Sequence, residues 1–161
     1  MSGGGSPLSR IKPATRSLTT GMHALTRMRV IVIGPIQPFR GGIAHYSTVI
    51  CRELSQRHTV RAISFSQLYP RWIMSKPQVD RDQKSPTEFE VHAILDPLNP
   101  FSWWKAIQDI RAFRPQRIIF QWWTTFLAPC YFFLLLFHGT QAKIGIMAHN
   151  IFPHASGEEP K

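Results

Sequence analysis

Arg29-Val30-Ile31-Val32-Ile33-Gly34-Pro35-Ile36-Gln37-Pro38-Phe39-Arg40-Gly41-Gly42 is the stretch that decides the fold. Its first six residues are a β-branched apolar run closed by glycine, the composition of a strand buried on both faces of a parallel sheet. Beyond the glycine-rich loop, Ile43, Tyr46, Ile50 and Leu54 recur at steps of three or four, with Arg52, Glu53 and Gln56 on the other side. That period predicts a helix with one apolar stripe. Residues 58–65 alternate as a second strand, completing a βαβ unit.

The same rhythm continues downstream. A short strand is expected at Phe89–Leu95, and Asn99-Pro100 opens a helix, with Asn as N-cap and Pro in the first turn. Phe101, Trp104, Ile107 and Ile110 form its expected buried stripe, and Arg114-Pro115 ends it, because the residue before proline is pushed out of the α region. Arg117–Gln121 reads as a strand, Leu127–His138 as a helix and Lys143–Ala148 as a fifth strand. Strands alternating with helices in this way predict an α/β fold, a Rossmann-like doubly wound parallel sheet with helices on both faces. Trp103, Trp104, Trp122 and Trp123 are expected to pack in its core.

Composition sets the limits around this frame. The chain has 161 residues, the length of one domain, with 43% hydrophobic residues to build a core and 13 prolines to interrupt it with loops. Residues 1–27 are set apart as a disordered basic tail rich in Ser, Thr and Gly, without an acid or an apolar signal region, and residues 28–161 form the domain. A net charge of +10 implies an anionic partner or surface. Its arginines are scattered among apolar residues, which argues against a dedicated nucleic-acid stripe. Cys51 and Cys130 lie in apolar-periodic segments, without metal-ligand spacing, and are expected to fill the core. Residues 118–137 carry no charge over 20 positions, enough to span a bilayer. Gln121, Thr124, Thr125 and Pro129 interrupt the run, so strand, loop and helix is the preferred reading.

Three segments carry chemistry. Gly41 and Gly42 at a helix N-terminus let an anion approach the backbone closely, although a tight turn explains them equally well. The spacing is not that of the dinucleotide fingerprint, so NAD or FAD is not expected. His149 and Asn150 follow the fifth strand at the carboxyl edge where open α/β sheets bind ligands, and His154 lies four residues beyond Asn150. Two imidazoles and an amide there can hydrogen-bond a sugar hydroxyl or phosphate oxygen, and no third ligand has the spacing for a metal. The loop over residues 67–87 mixes Tyr69, Arg71, Trp72 and Lys76, a blend suited to a membrane surface or to packing along the domain.

Taken together, "GPIQPFRGGIAHYS", "SFSQLYPRWIM", "IIFQWWTTFLAP" and "IMAHNIFPH" resemble the acceptor-side, N-terminal domain of family 4 (group 1) GT-B glycosyltransferases over residues 29–154. Relatives often carry Glu after the last His of that final motif, where this chain has Ala155. The resemblance implies an incomplete N-terminal half of a GT-B fold, with the donor-binding half absent and the fragment itself inactive. It implies transfer of a sugar from a nucleotide-sugar co-substrate to a glycan or lipid-linked acceptor, without a cofactor or metal. By the same resemblance His149 contacts the transferring sugar as the catalytic-site residue. Arg40, Gly41, Gly42, Asn150 and His154 contribute to substrate binding. The expected location is the cytoplasm, with peripheral contact at the inner face of a membrane through residues 67–87. The alternative reading is a non-catalytic basic α/β domain that docks on a membrane surface or a nucleic acid.

Overall fold

A computed structural model describes residues 27–69, 78–80 and 84–149. Five strands, β1 (Arg29–Ile33), β2 (Thr59–Phe65), β3 (Glu90–Leu95), β4 (Arg117–Trp122) and β5 (Lys143–Ala148), alternate with three helices. These are α1 (Gly42–Ser55), α2 (Pro100–Phe113) and α3 (Ala128–Phe137), the last preceded by a 3-10 turn at Thr125–Leu127. All the pairings are parallel and the order is β3-β2-β1-β4-β5. The chain therefore adopts the expected Rossmann-like α/β fold. Connections leave β1 toward β2 on one side and return to β4 on the other, so the carboxyl ends of β1 and β4 flank the point where strand order reverses.

Each face of the sheet carries its own core. Ile31, Ile33, Ile63, Phe65, Ile118 and Phe120 pack with Ile107 and Ile110 of α2 and with Cys130, Tyr131 and Leu134 of α3. On the opposite face Val30, Val32, Val60 and Ala62 pack with Cys51 of α1. Burial pushes the Cys51 and Cys130 thiols up to about 12, which leaves them protonated and unreactive as core residues.

The buried face of α1 differs from the sequence expectation, and that of α2 keeps Ile107 and Ile110 but not Phe101 and Trp104. The buried residues of α1 are Ala44, Ser47, Thr48 and Cys51, while Tyr46 is exposed and Ile43, Ile50 and Leu54 are only partly covered. Small side chains let the helix lie close on the sheet, and the larger apolar residues are left to its flanks. In α2 the buried set is Ser102, Ala106, Ile107 and Ile110, and Phe101 is 81% exposed. Trp104 is also outside the core, its ring 5.6 Å from the Arg111 guanidinium. Trp103 faces inward instead. Its indole N–H donates to the Asp96 carbonyl at 2.8 Å and its ring packs on Phe133. Trp122 and Trp123 are partly buried against the core.

Helix boundaries follow local chemistry. The Asn99 side chain accepts from the Phe101 N–H, and Arg114 leaves α2 in the left-handed region at φ 51°. The uncharged run over residues 118–137 divides into β4, the 3-10 turn and α3. No helix among the described residues is long and apolar enough to cross a membrane.

Candidate functional site at the carboxyl edge of the sheet

The loop after β1 is fixed from several directions. The Ile36 N–H donates to Ser64 Oγ, and the Gln37 N–H donates to Thr48 Oγ1 on α1 at 3.0 Å. Phe39 bridges Val79, with backbone bonds from Arg40 to Gln78 and from Asp80 to Pro38 holding the two segments together. These contacts shape a concavity of about 360 Å³ whose wall includes Gln37, Arg40, Gly41, Gly42, His45 and Asp80.

The two adjacent glycines have different reasons to be there. Gly41, the N-cap of α1, sits at φ 117° and ψ 160°, a region that only glycine occupies without strain. Gly41→Ala is expected to cost about 1–3 kcal/mol of stability, measurable by chemical denaturation; an unchanged midpoint would refute the backbone argument. Gly42 has no such need. A Cβ built there meets nothing within 4 Å and its φ is not positive. The tight-turn explanation thus covers Gly41 and leaves Gly42 lining open space. The first turn of α1 has no acidic residue and no side-chain cap, so its leading N–H groups are uncapped by side chains and, with the helix dipole, favour an anion. Arg40 stands beside this turn, 3.6 Å from Asp80, and its side chain remains 57% exposed.

His149 closes the same edge from β5. Its backbone N–H donates to the Trp122 carbonyl at 2.7 Å, and its Nε2 lies 2.6 Å from Gln121 Oε1. The Gln121 amide nitrogen is directed at Met147 Sδ at 3.3 Å and its oxygen faces the imidazole, an arrangement that favours the tautomer with its proton on Nε2. In the neutral ring Nδ1 is then an acceptor. The Tyr46 ring from α1 meets His149 edge-on, with centroids 5.3 Å apart. Tyr46 lies about one helical turn from Gly42, so the structure brings the glycine-rich helix start and the histidine to one edge.

Gln121 supports this arrangement from below. It is completely buried, and its stem fills the space where Gly34 lacks a side chain. Ser47, also fully buried, is the only residue among those described whose side chain has a buried polar atom without a partner. Asn150 and His154 lie outside the described residues, as do residues 1–26 of the tail and residues 70–77 of the basic aromatic loop. Sequence reasoning missed Gln121, Tyr46 and Asp80. Only Gln121 carries a signal, as a lone amide in an apolar strand, because a buried polar side chain in such a strand requires a partner. Among the described residues no group of three or more His, Cys, Asp or Glu side chains is placed to hold a metal ion.

No protein-family model matches the chain, and no curated protein matches it.

Proposed function

We propose that the carboxyl edge binds a phosphorylated sugar and that the chain is the acceptor-side domain of a glycosyltransferase. The observation that carries this reading is the contact of His149, anchored by Gln121, with Tyr46, about one turn from the uncapped start of α1 at the strand-order reversal. A diphosphate would take the N–H groups after Gly41, with Arg40 contributing charge. A sugar hydroxyl would donate to His149 Nδ1. Stabilising the leaving diphosphate through helix N–H groups and a guanidinium is electrostatic catalysis that needs no metal. In this reading the donor nucleotide rests mainly on a second Rossmann-like domain. An acceptor on a membrane lipid would bring the enzyme to a membrane surface through residues 67–87.

The test is a titration of the isotopically labelled chain with a nucleoside diphosphate-sugar and with a sugar 1-phosphate, followed by amide shifts. Gly41, Gly42, Ile43 and His149 are expected to move together. Gly42→Val is expected to weaken binding about tenfold while the melting midpoint stays within roughly 3 °C, since the position is open. His149→Ala should weaken the sugar phosphate by a similar factor and leave pyrophosphate binding unchanged. Saturating ligand without shifts at these four amides would eliminate the proposal.

A further inference from the structure

The opposite, amino edge of the sheet holds a second concavity, of about 590 Å³. Its wall carries Arg29 at the start of β1, Arg111 and Arg114 at the end of α2, and Lys143 at the start of β5. Gln116 and Thr140 add neutral polar groups, and no acidic residue among those described lines it. The acids that form ion pairs with arginines among the described residues lie elsewhere: Asp80 with Arg40, Glu88 with Arg52, and Glu90 and Asp109 around Arg61.

Two of these cations are held in place by bonds that leave part of each guanidinium available. Arg29 Nε donates to the Arg114 carbonyl at 2.8 Å. Arg111 donates through Nε to the His138 carbonyl and through Nη2 to the Phe137 carbonyl at 2.8 Å, capping the end of α3. Gly139, at φ 61°, allows this, since a Cβ there would stand 3.1 Å from Arg111 Nη2. The carboxyl ends of α2 and α3 together offer about one negative charge, well short of four cations. His138 responds to the same surroundings: burial first, and then the Arg111 charge, hold its imidazole below the ordinary value. Four like charges around one concavity repel one another, and an anion seated there would relieve that repulsion.

We propose that this concavity is a binding site for a multiply charged phosphate group, separate from the carboxyl-edge site. Guanidinium groups with fixed planes suit phosphate oxygens bidentately, and Lys143 supplies a point charge. The volume lies within the range of small-ligand sites, so a diphosphate with a modest organic substituent fits. The phosphate could be free or could belong to a lipid headgroup, and the experiment separates these sources.

Pyrophosphate is titrated into the full chain by calorimetry and amide shifts, and phosphatidylcholine vesicles with and without phosphatidic acid are tested by sedimentation. Expected are shifts at Thr140, Gln141 and Lys143, and affinity about tenfold weaker in Lys143→Gln and in Arg114→Gln. Lys105→Gln, which removes the same charge from exposed α2 surface, should weaken it far less. Lys143 is exposed at a strand end, so that variant reports binding even if Arg114→Gln disturbs the end of α2. Pyrophosphate binding sensitive to both variants supports a free phosphate ligand. Sedimentation with phosphatidic acid vesicles alone, with the same sensitivity, supports a headgroup. Absence of both, or equal losses in all three variants, overturns the site. Because its reporters lie at the amino edge, its failure and that of the carboxyl-edge proposal are read from different amides.

Discussion

Tyr131→Ala is expected to destabilise the domain by about 3–5 kcal/mol, the range for removing a large buried aromatic side chain. Tyr131 is 2% exposed on α3, and its ring meets Phe120 at 5.1 Å and Trp122 at 6.2 Å between centroids. Its hydroxyl donates to the Gln121 carbonyl at 3.2 Å and lies 3.5 Å from the Ile33 carbonyl. Complete burial raises the phenol well above its ordinary value, which favours the protonated, donating form. Truncation would open a cavity between α3 and the strands that carry the carboxyl-edge site. The measurement is a denaturant titration, with a thermal midpoint lower by roughly 15 °C. Tyr131→Phe keeps the packing and loses one bond, so its expected cost is only about 1 kcal/mol. Equal losses in the two variants would show that the hydroxyl, and not the ring, dominates.

Gly34→Ala is expected to cost about 2–3 kcal/mol, although alanine is the smallest possible addition. A Cβ at Gly34 would stand 2.7 Å from Gln121 Cγ and 2.8 Å from its Cβ. Relief requires moving Gln121, which His149, Met147 and Tyr131 all hold. The effect should therefore reach beyond stability. His149 amide and ring shifts should change in Gly34→Ala, and binding at the carboxyl edge should weaken in the fraction that remains folded. The double variant Gly34→Ala with Gln121→Gly should recover part of the packing loss, because both clashing carbons are gone, while His149 stays unanchored. A variant as stable as the parent, with unchanged His149 shifts, would disprove the coupling.

Elements legible in the sequence are those whose cause is local. The run Val30–Ile33, the cap at Asn99 and the stop at Arg114-Pro115 each specify a backbone state through their own side chains, and all three reappear in the structure. The helix faces were not legible to the same degree. In α1 the stripe through Ile43, Tyr46 and Ile50 and the stripe through Ala44, Ser47, Thr48 and Cys51 have the same period, one residue out of phase. Hydrophobicity favours the first and close approach to the sheet selects the second. Phe101 and Trp104 in α2 were misread for the same reason, since periodicity gives a helix without saying which flank the neighbouring layer leaves open.

For the candidate site the division runs through single residues. Gly41, Gly42 and His149 stand out in the sequence because glycines before a helix and a polar residue after a parallel strand mark the edge where such sheets bind ligands. Their conjunction with Gln121, 28 positions before His149, and with Tyr46 on α1 is not written in any local pattern. The same holds for Arg29 and Arg114, 85 positions apart and joined by one hydrogen bond at the amino edge. By itself the sequence determined the alternation of strands and helices, the caps and the parallel class of the sheet, because each of these follows from side-chain period and backbone preference within a few residues. Only the tertiary structure decided the order β3-β2-β1-β4-β5, the buried phase of α1, the exposure of Phe101 and Trp104 in α2, and which polar groups meet at each edge. Those outcomes depend on how closely the layers approach and on which distant strands become neighbours, and neither quantity exists until the chain has closed on itself.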